Sequence, residues 1–342
     1  MINFKNINKT FIIAEMSANH NGDLNVAIDT IKAAKKAGAD AIKLQTYRAD
    51  TITIDSKNKD FFIQDHDQWG GQYLYDLYKS AYTPWRWHKK LFEVAKEEDI
   101  IIFSAPFDHS AVDFLENLNN PIYKIASAEI TDIPLIEYVA SKQKPMIIST
   151  GMANEDDIRL ALQACRDNKN NNIALLKCTS SYPTPINKSN VIMVKDFSKR
   201  FNIASGISDH TLGINVPLAA VCYGAKIVEK HFIINKNIGG PDAFFSLDET
   251  EFASMVKAIR EVEESIGHIN YNLTREQKLT RRYARSLYIV KNIKKNEKIT
   301  TENVKSIRPG YGLHPKYYKE ILGKKILKDV EKGTALSWDI IS

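Results

Sequence analysis

Eight short apolar runs, each followed by a segment of helical periodicity, constrain the fold of this chain more than any other feature. The runs occupy residues 11–15, 41–47, 100–107, 122–129, 145–151, 173–180, 202–209 and 226–232. Most are apolar along nearly their whole length, which is typical of parallel strands covered on both faces. Strand–helix alternation carried through eight strands predicts a (β/α)8 TIM barrel. A doubly wound open sheet is the alternative, but the chain has no G-x-G-x-x-G turn to support it.

Two segments depart from this alternation. Residues 48–83 separate the second strand from its helix with a polar and aromatic sequence, which predicts a lid or binding loop on the catalytic face. After Gly267 the pattern changes to a polar connector and short strand-like runs at residues 286–293 and 335–341, with a predicted helix start at 300–303. We therefore expect a barrel domain over 1–268, a linker over 269–284 and a small domain over 285–342.

Composition limits the partners and the compartment. The three cysteines form no C-x-x-C pair, and no apolar run resembles a signal peptide or a membrane span, so we expect a cytoplasmic protein without a membrane partner. From residue 283 onward, 13 Lys and Arg stand against 6 Asp and Glu. This surplus indicates an anionic partner or simply a solvated lysine surface. The tail has no nucleic-acid-binding motif, so we expect no nucleic acid.

Polar residues are concentrated at the ends of the predicted strands, where the active site of a TIM barrel lies. His210 and His231 follow the seventh and eighth strands, and they are either a catalytic metal pair or two hydrogen-bonded rim histidines. Glu15 and Glu129 end the first and fourth strands and suit either proton transfer or pairing with lysines. Asp242 lies in a G-G-P-D turn, which suits hydroxyl binding or a plain turn.

Lysines and small hydroxyls at other strand ends resemble an anion cradle. Lysine supplies charge, and hydroxyls supply directed hydrogen bonds. The candidates are Lys43, Lys124, Ser127, Ser149, Thr150 and Ser208. A buried lysine needs a partner, so solvated lysines are the weaker interpretation. A Schiff-base aldolase using Lys124 or Lys177 is a further alternative.

A series of sequence motifs resembles the sialic acid synthase family over nearly the whole chain. In order, they are IIAEMSANHNGDL, AGADAIKLQTY, YKIASAE, STGMA, LLKCTSSYPTP, GISDHTLG, GAKIVEKHF and GGPDAFFSLDETEF. The segments ARSLYIVKNIKKNEKIT and SIRPGYGLHPKYY resemble the antifreeze-like (SAF) domain that these enzymes carry. The resemblance implies condensation of phosphoenolpyruvate with an N-acetylated amino sugar, with release of phosphate.

Roles for individual residues follow from the resemblance by position. It implies that His210 and His231 bind Mn²⁺ or Mg²⁺, with Co²⁺ a further possibility, and that Lys124, Glu15 and Glu129 are catalytic. The positions that match substrate contacts are Lys43, Gln45, Ser127, Ser149, Tyr182, Ser208, Asp242 and Arg308. Arg308 matches an arginine that reaches the active site of the partner subunit, which implies a domain-swapped homodimer.

Several details resemble the pseudaminate branch of the family. These are SANHNG, IKLQTY, GLHPKYY and the serine before Tyr182 where some relatives have asparagine. The implied sugar is a 2,4-diacetamido-2,4,6-trideoxy hexose, which lacks a 6-hydroxyl group. The N-acetylneuraminate, legionaminate and spore-coat polysaccharide synthases of the same family are the alternatives.

Overall fold

The computed structural model describes residues 2–64 and 69–342. Residues 65–68 of the predicted lid lie outside the described residues. The chain divides into two compact units, Met1–Gly267 and His268–Ser342. None of the helices among the described residues is both long and apolar enough to cross a membrane.

The first unit is a closed barrel of eight parallel strands, each paired with its neighbours in chain order and the last paired with the first. The strands are Phe11–Glu15 (β1), Ala41–Thr46 (β2), Ile101–Pro106 (β3), Tyr123–Ile125 (β4), Met146–Ser149 (β5), Ile173–Cys178 (β6), Ala204–Asp209 (β7) and Ile227–His231 (β8). The predicted barrel is therefore confirmed.

Helices connect these strands. They are Leu24–Lys36 (α1), Ala49–Ile52 (α2), Leu74–Ala81 (α3), Trp85–Glu97 (α4), His109–Asn117 (α5), Ile133–Ser141 (α6), Glu155–Asp167 (α7), Ile192–Phe201 (α8), Asn215–Cys222 (α9) and Glu249–Ile266 (α10). Asp23 caps the start of α1, because its side chain accepts a hydrogen bond from the Asn25 backbone N–H. Gly38 follows the helix with a φ of 89°, a conformation that favours glycine.

The barrel interior has an apolar lower layer. Ile13, Ala41, Phe103, Ile122, Ile147, Ala174, Leu176, Ala204 and Ile227 belong to one buried cluster. Side chains alternate along a strand, so the residue two positions further on faces the same interior one layer higher. Gly206 lets β7 approach β8, because a Cβ there would collide with the carbonyl oxygen of Ile227.

The second unit contains a two-stranded antiparallel sheet, Ser286–Ile289 (β9) and Val304–Ile307 (β10), and the short helices Arg275–Thr280 (α11) and Tyr318–Ile321 (α12). Its core includes Leu287, Ile289, Ile299, Ile321 and Leu336. Two predictions here are wrong. Residues 335–341 are not a strand, since Trp338–Ile340 form a 3-10 turn, and residues 301–303 are a turn rather than a helix start.

Candidate active site

A polar layer lies directly above the apolar layer, at the carboxyl ends of the strands. Glu15, Lys43, Lys124, Ser149 and Glu229 each lie two residues beyond an apolar interior residue, and each is buried. The twofold alternation of the strands therefore brings them together at one level of the barrel. Burial of ionisable groups is costly unless they are paired, so their partners determine what this layer can do.

The four charged residues form a chain of ion pairs. Lys43 Nζ lies 2.9 Å from Glu15 Oε2 and 3.3 Å from Glu229 Oε1. Lys124 Nζ lies 3.3 Å from the same oxygen of Glu229. Glu229 thus links both lysines, and it also accepts a 2.9 Å hydrogen bond from Ser208. The sequence left open that Glu129 pairs with a lysine. In the structure, Lys124 pairs with Glu229 instead.

Ionisation follows this pairing. Burial opposes the charge of Glu229, but Lys124 and Lys43 lower the pKa of its carboxyl group to about 2. Burial raises the pKa of Glu15, and Lys43 offsets this only in part. Burial lowers the pKa of Lys124, although Glu229 opposes that shift. The arrangement keeps Glu229 ionised between two cationic groups and favours a net positive site when Glu15 is protonated.

Several buried polar atoms at this end of the barrel have no hydrogen-bond partner among the described residues. They are Ser149 Oγ, Ser180 Oγ, Glu129 Oε2, Glu229 Oε2 and His231 Nδ1. Buried polar groups in folded proteins are normally paired, so a cluster of unpaired ones indicates a ligand site. Lysine charge and free hydroxyls in one place suit an anion with several oxygens.

Gly151 keeps this part of the site open. A Cβ at this position would collide with Ser180 Oγ and would lie 2.7 Å from Ser127 Oγ. The backbone N–H of Gly151 donates a 3.1 Å hydrogen bond to Ser127 Oγ. The glycine thus allows two hydroxyl groups to approach the backbone after β5, next to Ser149.

The two histidines lie side by side, with ring centroids 5.3 Å apart. His210 Nδ1 lies 3.1 Å from the carbonyl oxygen of Thr179, so Nδ1 carries a proton. Burial opposes the charge of this ring, but the neighbouring Cys178 and the Thr179 carbonyl raise its pKa. His231 Nδ1 lies 3.8 Å from Asp242 Oδ2. Burial, the nearby His210 and the lysines hold the pKa of His231 well below its usual range, so its ring is neutral.

A neutral imidazole with an unpartnered nitrogen is the form that binds a metal ion. The described residues contain no group of three or more His, Cys, Asp and Glu side chains arranged as a metal site. Two neighbouring imidazoles can supply two ligands to a divalent cation, and the other positions would be left for oxygen ligands from substrate or solvent.

A pocket of about 350 Å³ adjoins the histidines. His231, Gln45, Tyr182, Asp242 and Ser17 contribute polar groups to its lining. Burial raises the pKa of Asp242. The ring of Tyr182 lies 4.3 Å from the ring of His210, centroid to centroid, which joins the pocket to the histidine pair. Its volume is in the range of small-molecule sites.

Glu129 lies at the same end of the barrel but not on a strand. β4 is shorter than predicted and ends at Ile125, and Glu129 lies in the 3-10 turn Ala128–Thr131. Burial raises the pKa of its carboxyl group to about 7. A carboxyl group that titrates near neutral pH can both accept and donate a proton, which suits general acid–base chemistry.

Arg308 lies in the second unit, where it is exposed and directly follows β10. Twelve of the thirteen predicted site residues thus belong to the barrel of the first unit. Arg308 is the exception, because it belongs to the second unit.

The sequence analysis does not single out Glu229 as an interior residue of the site. The spacing of Ile227, Glu229 and His231 contained the signal, because residues two apart on a strand face the same side. Cys178 was also missed. Its Sγ lies 3.9 Å from His210 Nδ1, and despite burial the neighbouring His210 lowers the pKa of the thiol to about 7.

Three cavities among the described residues of the first unit are larger than the pocket beside the histidines. One of about 440 Å³ shares Leu77 and Pro241 with it, and the other two lie elsewhere. One of about 1030 Å³ is lined by Lys89, Lys96 and Ile101 among others, and one of about 550 Å³ lies between α7 and α8. Neither is lined by any of the unpartnered buried atoms found among the described residues. Chemistry rather than size therefore identifies the site.

Comparison with known proteins agrees with the fold. Residues 30–271 match the NeuB family, and residues 284–341 match the SAF domain. The chain therefore belongs to the NeuB family of sialic acid synthases and carries a C-terminal SAF domain, as the sequence motifs predicted.

Individual relatives are similar over almost their full length. The chain is 46% identical to pseudaminic acid synthase of Campylobacter jejuni (strain 81-176), covering 98% of this chain and 97% of that protein. It is 45% identical to pseudaminic acid synthase of Helicobacter pylori, covering 96% of this chain and 97% of that protein. The N-acetylneuraminic acid synthetase of Leptospira borgpetersenii has a similar structure, with a TM-score of 0.71, 31% identity, and coverage of 79% of this chain and 90% of that chain.

Proposed function

We propose that this protein is a transferase that condenses phosphoenolpyruvate with 2,4-diacetamido-2,4,6-trideoxy-L-altrose to give pseudaminic acid and phosphate. The observation that carries the proposal is the polar layer. Two buried lysines share one carboxylate, next to unpartnered hydroxyls and two adjacent histidines. The similarity to two pseudaminic acid synthases supports the choice of sugar.

Phosphoenolpyruvate binds in the polar layer. Lys43 and Lys124 neutralise its phosphate and carboxylate groups, and the hydroxyls of Ser127, Ser149 and Ser208 orient their oxygens. The amino sugar binds in the adjoining pocket, where Glu15, Gln45, Tyr182 and Asp242 contact its hydroxyl and acetamido groups. This division places the enol carbon of one substrate beside the aldehyde of the other.

His210 and His231 are the residues that hold a divalent cation, Mn²⁺ or Mg²⁺, with Co²⁺ as an alternative. A cation bound there supplies Lewis-acid polarisation of the aldehyde oxygen of the sugar. The Thr179 carbonyl orients His210 by accepting its Nδ1 proton, as groups behind metal-binding histidines usually do.

The reaction forms one carbon–carbon bond and breaks one carbon–oxygen bond. Carbon 3 of phosphoenolpyruvate attacks carbon 1 of the sugar, and positive charge develops on carbon 2. Water adds to carbon 2 and loses a proton to Glu129, whose carboxyl group titrates near neutral pH. Glu129 then returns this proton to the oxygen on carbon 1 of the sugar, which received the electron pair of the aldehyde double bond. The bond between carbon 2 and the phosphate oxygen breaks as the new hydroxyl on carbon 2 becomes a ketone, and the proton of that hydroxyl leaves with phosphate.

Arg308 completes the site from a second copy of the chain. The proposed enzyme is a homodimer in which the small domain over 285–342 is exchanged, with residues 269–284 as the linker after a barrel domain over 1–268. An exposed arginine directly after a β-strand can make a bidentate contact with the carboxylate or phosphate group of a substrate bound in the other subunit.

The experiment is a phosphate-release assay across candidate sugars, with mass measurement of each product. Phosphoenolpyruvate is supplied with the altrose derivative, with its legionaminate-type isomer and with N-acetylmannosamine. We expect phosphate release with the altrose derivative. EDTA should abolish this release, and added Mn²⁺ should restore it. A borohydride-trapped adduct on Lys124 with no effect of EDTA would instead favour a Schiff-base aldolase.

A further inference from the structure

The pocket beside the histidines has two chemically different walls. Its polar residues, which include Gln45, His231 and Asp242, belong to the barrel strands and the loop after β8. The lining also contains three aliphatic residues, Ile63, Leu74 and Leu77, which we call the apolar wall, as well as Trp69 and Tyr78 of the same segment. The three residues of the apolar wall follow β2 in the long segment that precedes α4. An apolar wall is unexpected in a site for a polyhydroxylated sugar, because it offers no hydrogen bond to a hydroxyl group.

The apolar wall is part of a packed element. Leu74 and Leu77 lie three residues apart in α3, so they share one face of that helix. The same helix carries Tyr78, whose ring makes an edge contact with Tyr47 at 5.8 Å between centroids. Tyr47 is buried at the end of β2. This contact joins the face of α3 that lines the pocket to the barrel.

Ile63 is fixed by backbone pairing. Its N–H donates a 3.0 Å hydrogen bond to the Gln72 carbonyl, and the Gly71 N–H donates a 2.9 Å bond to the Ile63 carbonyl. The rings of Phe62 and Tyr73 pack beside this pair at 5.1 Å between centroids. The three residues of the apolar wall are therefore held by secondary structure and ring packing.

The direction in which the sugar binds follows from the chemistry. Its aldehyde, carbon 1, reacts at the barrel end of the pocket, where His231 and the polar layer lie. The opposite end of the carbon chain, carbons 5 and 6, must then extend away from the strands and toward the segment after β2. A methyl group at carbon 6 loses nothing by contacting aliphatic side chains, whereas a hydroxyl group there would lose its hydrogen bonds to water.

We infer that the apolar wall of Ile63, Leu74 and Leu77 selects a sugar with a methyl group at carbon 6 over the same sugar with a 6-hydroxyl group. This inference rests on the proposed function, since it concerns the end of the sugar remote from the reaction. Apolar pockets discriminate against an added hydroxyl group only moderately, so we expect a preference of about 10- to 100-fold in kcat/KM.

The test compares two sugars on each enzyme. They are 2,4-diacetamido-2,4,6-trideoxy-L-altrose and its 6-hydroxy analogue, each with saturating phosphoenolpyruvate and Mn²⁺. The variants are Leu77→Asn and Leu74→Asn, which place an amide in the wall at nearly constant size. Ile54→Asn is the matched control, because Ile54 belongs to the same segment, is 61% exposed and does not line the pocket. The ratio of the kcat/KM values for the two sugars, measured on one enzyme preparation, does not depend on the fraction of that enzyme that is folded.

We expect the preference for the 6-deoxy sugar to fall about tenfold in at least one wall variant, and to stay at the wild-type value in Ile54→Asn. Equal kcat/KM values for the two sugars in the wild type, or an unchanged preference in both wall variants, would overturn the inference while leaving the proposed reaction intact. Absence of phosphate release with either sugar in the wild type would refute the proposed function, and the inference with it.

Discussion

Glu129 differs from the other carboxyl groups of the barrel mouth because no lysine lies within ion-pairing distance of it among the described residues. Glu15 and Glu229 both pair with Lys43, whereas Glu129 Oε2 is buried without a hydrogen-bond partner. Burial therefore dominates and raises its pKa to about 7. Its position in the turn after β4 leaves it free to exchange a proton with a bound molecule.

This pKa leads to a prediction about the pH dependence of the reaction. If the ionised form of Glu129 accepts the proton of water, kcat rises as pH increases through about 7 and levels off above it. Glu129→Gln should lower kcat by about 10²- to 10⁴-fold and remove this acid limb. Phosphate release measured from pH 5.5 to 8.5 tests this. A variant that keeps the limb near pH 7 would assign it to another group.

At the level of single residues, the sequence was informative wherever strand alternation applied. Glu15, Lys43, Lys124 and His231 are found at one end of the barrel because each lies an even number of positions beyond an apolar interior residue in a run that could be recognised. The pairing of Glu229 with two lysines could not be predicted, because it depends on the separation of three different strands. The turn that carries Glu129 was missed because the apolar run before it continues into small residues without a break signal.

At the scale of elements, His210 directly follows β7 and His231 ends β8, and a further buried ion pair joins the same two strands. Lys230 Nζ lies 2.5 Å from Asp209 Oδ2, and it also donates to the Thr211 carbonyl. The Asp209 carboxylate further accepts hydrogen bonds from the backbone N–H and the hydroxyl of Thr211. Lys230 precedes His231, and Asp209 and Thr211 flank His210, so this buried pair fixes the backbone at both imidazoles.

Removing one partner of this pair should therefore weaken metal binding as well as stability. We expect Lys230→Met to lose about 3–5 kcal/mol in the free energy of unfolding, because Asp209 is left buried without its partner. Mn²⁺ affinity, followed by the electron paramagnetic resonance signal of the free ion, should fall at least tenfold, as for other groups behind metal ligands.

The double variant Lys230→Met with Asp209→Leu is the control for charge burial. It should recover part of the lost stability, since no unpaired charge remains, without restoring Mn²⁺ affinity. A single variant that binds Mn²⁺ as tightly as the wild type would show that the ion pair does not position the histidines.

The elements themselves were largely predictable. All eight barrel strands were recognised from apolar runs, because parallel strands covered on both faces contain few polar residues. Predictions in the small domain were less accurate. Its strands are short and its apolar residues, such as Leu336 and Ile340, enter the core from turns, so residues 335–341 resemble a strand without forming one.

At the scale of the whole molecule, the proposal requires two copies of the chain for each active site. Arg308 and His231 then belong to different subunits at any one site. An Arg308→Ala homodimer and a His231→Ala homodimer should each be inactive. A mixed dimer has one site with both defects and one site with neither, because the exchanged domains pair each barrel with the arginine of the other chain.

Mixing the two variants under conditions that allow subunit exchange should therefore restore activity, to roughly a quarter of the wild-type value at equal amounts. The control is the same mixture assayed before exchange, which should remain inactive. Failure to recover activity, with exchange verified by mass measurement of the mixed dimer, would contradict the proposal that Arg308 serves the partner subunit.

The most direct test of the central claim is to follow the oxygen atom that joins carbon 2 of phosphoenolpyruvate to phosphorus. With ¹⁸O at that position and 2,4-diacetamido-2,4,6-trideoxy-L-altrose as the second substrate, mass spectrometry of both products reports which bond breaks. The account predicts that the label leaves entirely in phosphate and that the sugar product gains three carbons. Label retained in the sugar product, or phosphate released without a new nine-carbon acid, would contradict it.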